Sequence, residues 1–248
     1  MIPQYDLEKI KFGVGKKTWE RAMGLYEAGK VSEVEESYIG FTARVLGTQP
    51  YDVAVSQTHY DRGHCNCFVG QQDILCKHMV ALAIWAVLRG APLSDDDKKQ
   101  KNEVSFCGKT GELDDKDLAQ VKEKIREAQK YIKAWRGPSK KWFAYQGSLS
   151  EGSNRLSAVI SELPASPQTA KLIIDLLLRL DKKLCTGGVD DSDGTVGGFI
   201  QDCVALLLEF VKADKDCAKA FKKLAEVKTC FGWEEPLARY YNEEYCNK

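Results

Sequence analysis

Two short runs, Cys65-Asn66-Cys67 and Cys76-Lys77-His78, carry the residue types best suited to chemistry in this 248-residue chain. Eight residues separate the pairs. Thiolate and imidazole are the donors of structural zinc sites, which take four ligands in a tetrahedral array. Two ligands one residue apart can face a single ion if the backbone between them is extended or turned. The expectation is one structural Zn2+ held by Cys65, Cys67, Cys76 and His78. A catalytic Cys–His pair is the rival chemistry, and it needs a free thiolate and an oriented base. A thiolate held by zinc is quenched, and four protein ligands leave no open position for water. His59 and His64 lie close by but have no pairing partner at ligand spacing.

The elements that must position these residues follow from periodicity. Trp19, Ala22, Met23 and Tyr26 fall at helical spacing from about Lys16 to Ala28, and Gly29 ends the run. The period then changes. Tyr51, Val53 and Val55 alternate as in a strand, and breaks at Gly40 and from Gly47 to Pro50 mark turns. The pattern predicts three short antiparallel strands between residues 31 and 57. Cys65 and Cys67 then fall at the end of a strand or hairpin. Cys76 and His78 fall just ahead of Met79–Leu88, a run apolar on nearly every side and therefore buried on more than one face. The positive end of that helix favours nearby thiolates.

Cys-x-Cys, a variable loop, then Cys-x-His before an apolar helix resembles the signature of the SWIM zinc finger. The resemblance covers about residues 12–90. It includes Tyr26 with Gly29-Lys30-Val31, the runs Phe41-Thr42-Ala43-Arg44-Val45 and Pro50-Tyr51-Asp52-Val53, and the string Lys77-His78-Met79-Val80-Ala81-Leu82. It implies a structural zinc at the four ligand positions and a role in binding DNA or proteins rather than in catalysis.

Residues 121–143 form the one strongly basic stretch, with Tyr131, Trp135, Trp142 and Phe143 interleaved. A basic groove with aromatic platforms suits single-stranded nucleic acid. Lys130, Lys133, Trp135, Arg136, Lys140, Lys141 and Trp142 are the candidate contacts. The competing reading is a solvated helix face with Trp135 in the core. The finger region is neutral, with ten Lys or Arg and ten Asp or Glu in residues 1–92. Asp190, Asp191, Asp193 and Gly194 suggest calcium. However, aligning Gly194 with the required glycine of an EF-hand loop puts Ile200 where a Glu must stand, so a turn and helix cap is the better reading. Gly13-Val14-Gly15-Lys16-Lys17-Thr18 lacks phosphate-loop spacing.

Lys plus Arg equals Asp plus Glu at 36 each, which gives no general pull toward polyanions. The first ten residues lack the pattern of a secretory signal, and the longest uncharged apolar run is too short to cross a bilayer. The expected setting is the reducing cytoplasm, without membrane attachment. There cysteine clusters mean metal or catalysis more often than disulfides, and the odd number of nine cysteines argues against a closed disulfide framework. Residues 93–116 read as a linker between a finger domain (1–92) and a helical domain (117–248).

In the helical part, Val121, Ile125 and Ala128 share a face that Ile132 and Trp135 continue. Ser166-Pro167 reads as a helix start ahead of the stripe Ile173, Leu176, Leu177, Leu180 and Leu184. Phe199 to Val211, Ala218 to Ala225 and Trp233 to Tyr241 supply three more helices. The fold class is α+β: a small antiparallel sheet plus helices with a zinc finger, followed by an all-α helical-hairpin domain. The function expected is a non-enzymatic adaptor that binds nucleic acid, a protein partner, or both. A pure protein scaffold, or an enzyme with an unrecognised site, are the alternatives. No small-molecule substrate is evident.

Overall fold

The computed structural model describes residues 2–99, 103–137 and 142–243, with the side chains of residues 142–144 outside the description. The chain divides into two compact units, residues 1–100 and 101–248. Among the described residues no helix is long and apolar enough to cross a membrane.

The first unit opens with α1 (Leu7–Gly13), capped by the Asp6 carboxylate, which accepts from the Lys9 amide at 2.7 Å. α2 (Lys16–Glu27) buries Trp19, Ala22, Met23 and Tyr26. A four-stranded antiparallel sheet follows in the order β1 (Val31–Ser37), β2 (Gly40–Leu46), β3 (Pro50–Ser56), β4 (Gly63–Cys65). Alternation sets its inner face: Phe41, Ala43 and Val45 on β2, and Val53 and Val55 on β3, are buried. The three expected strands are present. The fourth spans three residues and ends on a ligand, and the sequence pattern did not separate it from the cysteine cluster.

α3 (Lys77–Leu88) is apolar all round because it serves two cores. Val80, Ala81, Ala83 and Ile84 pack with α1 and α2. Met79, Leu82 and Ala86 pack on the sheet. Arg89 ends the helix in the left-handed region at φ 54°. Its guanidinium pairs with Glu36 on β1 and lies 5.0 Å from the Phe41 ring. Leu93 is buried in the first core, and α4 (Asp95–Lys98) follows it behind a Ser94–Asp97 capping box.

The second unit has one large apolar core built from α5 (Asp115–Ala128), α6 (Trp142–Ile160), α7 (Pro167–Cys185), α8 (Thr195–Ala213), a 3-10 segment (Lys215–Leu224) and α9 (Glu235–Tyr241). Ser166 caps α7 as its sequence indicates, accepting from the Thr169 amide at 3.2 Å. Val104, Phe106 and Leu113 pack against this core, and Thr110 pairs with Ala165. The stretch read as a linker is therefore largely bound: its beginning belongs to the first unit and residues 103–113 strap the second. Three scattered apolar residues are enough to hold such a strap without any periodicity.

Two local departures have clear causes. α5 stops at Ala128, and tight i→i+3 turns carry the chain on to Ile132, so Ile132 and Trp135 reach the core outside any helix. α6 carries Tyr145, Leu149, Leu156 and Ile160 on its buried face, but Gly152, Ser153 and Ser157 interrupt that stripe in sequence: a Cβ on Gly152 would sit 2.8 Å from the Ile132 side chain, and both serines are buried.

The structure also pairs Cys185 with Cys230 as a disulfide, their Cα atoms 6.1 Å apart. The expectation of reduced thiols did not anticipate this bridge. It joins the end of α7 to a loop far along the chain, which residue spacing cannot reveal.

Candidate metal centre

The four expected ligands converge. Cys65 ends β4 opposite Val53. Asn66 prolongs the strand pairing: its side chain accepts from the Asp52 amide at 3.0 Å and its own amide donates to the Asp52 carbonyl at 3.3 Å. That extended segment turns the Cys65 and Cys67 side chains to one side. The chain then makes a 3-10 turn over Gly70–Gln72. Cys76, in extended conformation, is the N-cap residue of α3, and His78 lies in its first turn.

All four residues are buried, and their ligand atoms lie within 4.8 Å of one another. The His78 Nδ1 atom is the one that faces the sulfurs, 3.7 Å from Cys65 Sγ and 3.9 Å from Cys76 Sγ. A tetrahedral ion with bonds of roughly 2.3 Å to sulfur and roughly 2.0 Å to nitrogen would set those atoms roughly 3.6 Å apart. Those two distances are close to that spacing, and the group could hold a metal ion. Among the described residues the other ring nitrogen, Nε2, is buried with no hydrogen-bond partner, and the ring stacks at a tilt on Tyr51 with centroids 4.5 Å apart.

The surroundings push the Cys65 and Cys76 thiols in opposite directions. The Gly70 amide donates to Cys67 Sγ at 3.3 Å. The Cys65 thiol donating to Cys76 holds the Cys76 thiol well below the usual thiol range, helped by His78 and the Met79 amide. The same bond, with burial, pushes Cys65 up. Gly70 is required by space: a Cβ there would lie 2.3 Å from the Cys65 carbonyl oxygen and 2.6 Å from the Cys65 Cβ.

The basic stretch is placed in pieces. Lys130 pairs with Glu127 at 2.7 Å, and Arg126 pairs with Glu123 at 2.5 Å. Lys133 and Arg136 are exposed. Trp135 packs against the second core, its ring 4.8 Å from that of Tyr145. Lys140 and Lys141 lie outside the described residues, and Trp142 opens α6 with its side chain undescribed. The aspartates at 190–193 serve as turn and cap groups. Asp191 accepts from the Val196 and Gly197 amides, both at 2.8 Å, at the start of α8.

A second donor group escaped the sequence reading. Asp181, Cys185 and Cys230 also bring their ligand atoms within 4.8 Å of one another. The i,i+4 spacing of Asp181 and Cys185 was the available signal, but nothing local links them to Cys230.

Comparison with protein-family models, curated proteins and solved structures finds no match to this chain.

Proposed function

We propose that the chain is a non-enzymatic adaptor whose first unit is a SWIM-type finger held by a structural Zn2+, and that this finger presents a surface to a protein partner. One observation carries the reading: three cysteines and one histidine, all buried, bring their donor atoms within 4.8 Å of one another, with His78 Nδ1 3.7 and 3.9 Å from two of the sulfurs. Thiolate and imidazole in a tetrahedral set select zinc over harder cations. With four protein ligands the ion has no position left for water or substrate, which supports a folding role over a catalytic one.

The loop between the ligand pairs supports a protein partner. Both its ends are fixed by ligands, and it displays Phe68, 79% exposed, together with Val69 and Ile74. Apolar side chains on a pre-organised loop lose little freedom on docking, so they suit a partner with an apolar pocket. Lys133 and Arg136, both exposed and three positions apart, favour a second reading, in which single-stranded nucleic acid binds the second unit. Arg126 and Lys130 contribute less to it, because Glu123 and Glu127 already offset their charge.

Metal analysis of protein purified without added zinc tests the centre, followed by chelation with circular dichroism and limited proteolysis. The expected result is one strongly held zinc, and loss of structure confined to about residues 31–90 on its removal. An unaltered first unit after chelation would refute the reading. Titration with DNA strands across salt separates the partners: binding that weakens steeply with salt and is lost on neutralising Lys133 and Arg136 favours nucleic acid, and no binding at low salt favours a protein.

A further inference from the structure

We infer that Asp181, Cys185 and Cys230 form a second metal site in the helical unit, open only when the Cys185–Cys230 bridge is reduced. Asp181 and Cys185 stand one turn apart on α7, so both side chains project from the same face. Cys230 comes to them from the loop ahead of α9. The Asp181 carboxylate lies within 4.8 Å of both sulfurs, and cutting the bridge frees the two sulfurs to part to the separation that one ion needs.

Three further features point to a cation. The site lies at the C-terminal end of α7, where the unsatisfied carbonyls favour positive charge. The Asp181 carboxylate is held in place: its Oδ1 accepts from the Cys230 amide at 3.1 Å and from the Trp233 indole at 3.0 Å, while Oδ2 faces the Cys185 sulfur at 3.6 Å. Such outer contacts orient metal ligands. Cys185 and Cys230 are exposed, so both an ion and a reductant can reach them. Two thiolates with one carboxylate suit a borderline or soft divalent cation such as Zn2+ rather than Mg2+ or Ca2+. Three protein ligands leave one tetrahedral position for water or an added ligand, in contrast to the buried site of the first unit.

The two states exchange by balanced chemistry. A small-molecule thiol attacks the bridge, and a second completes the exchange. Their two protons pass to the Cys185 and Cys230 sulfurs, while the two small thiols end joined in their own disulfide. Binding of a divalent ion to the freed pair then releases two protons. In the bridged state the sulfurs bond to each other and the site is closed.

The test is a metal count on the full chain with Zn2+ and a chromophoric competing chelator. The chain is first loaded at Cys65, Cys67, Cys76 and His78, then treated with a phosphine reductant or with a small-molecule disulfide. The reduced chain should hold one equivalent more than the oxidised chain. That increment should vanish in Cys185→Ser and Cys230→Ser, and Asp181→Asn should weaken it by roughly tenfold or more. In Cys67→Ser the increment should persist, which separates failure of the first site from failure of this one. Alkylation and mass spectrometry report whether Cys185 and Cys230 are free. An equal count in both states, with the two thiols shown to be free after reduction, overturns the inference. If a cysteine variant does not fold, the reduced-versus-oxidised difference in the unaltered chain and the Asp181→Asn titration still decide the question.

Discussion

The two units of this chain solve the same problem with different means. The second unit gathers its buried apolar residues into one continuous cluster drawn from every helix between α5 and α9. The first splits its apolar residues into two small clusters, one under α1 and α2 and one under the sheet, with α3 as their shared wall. A core divided in this way excludes less water for its size, and small domains commonly add a metal or a staple. The buried Cys and His residues stand at the joint between β4 and α3, where such a staple has most effect. A metal can therefore be structural in one half of a chain whose other half has no need of it.

Substitutions in each unit put that contrast to the test. Cys67→Ser should have the largest effect, since structural zinc sites supply on the order of 10 kcal/mol. Proteolysis should then cut freely within residues 31–90 while a helical fragment beginning near residue 101 survives. Phe210→Ala removes a fully buried ring from the second core and should cost about 3–5 kcal/mol in denaturant melts. Its metal content should be unchanged, the mirror image of the cysteine variant. Reducing the Cys185–Cys230 bridge reopens a long loop, and the second unit should lose up to about 4 kcal/mol, read as a lower urea midpoint for its transition alone.

Smaller effects refine the picture. Gly70→Ala forces the turn off Cys65 and should cost about 1–3 kcal/mol, with zinc lost to a competing chelator at a lower chelator concentration. Ser166→Ala deletes the α7 cap and should cost about 1 kcal/mol, leaving zinc affinity untouched. A Ser166→Ala variant with weakened zinc binding would count against two independently stabilised units.

What the sequence disclosed follows from how local each signal is. The four residues that could hold a metal lie in two short runs beside a strongly apolar helix, so residue type and spacing alone singled them out as a group. β2, β3, α7 and α8 carry clear alternation or apolar stripes. α6 was hidden because Gly152, Ser153 and Ser157, which look like loop residues until a neighbour such as Ile132 closes on them, break up its stripe of Tyr145, Leu149, Leu156 and Ile160. The basic stretch looked more cationic in sequence than it is in space, because Glu123 and Glu127 pair with Arg126 and Lys130 one helical turn away. Trp135 was open to either reading, and its packing on Tyr145 depends on a chain reversal after Ala128 that no periodicity announces. The bridge between Cys185 and Cys230 depends wholly on the path of the chain between them.

The four ligands of the first unit all fall between residues 65 and 78. Closing so short a segment on an ion costs little chain entropy, and it requires nothing from beyond α3. Because domains emerge from synthesis N-terminal end first, the ion can be captured while the helical unit is still being made. If the ion is the zinc proposed above, a cell short of it would release chains open to proteases across about residues 31–90 from birth, attached to a later half that folds normally.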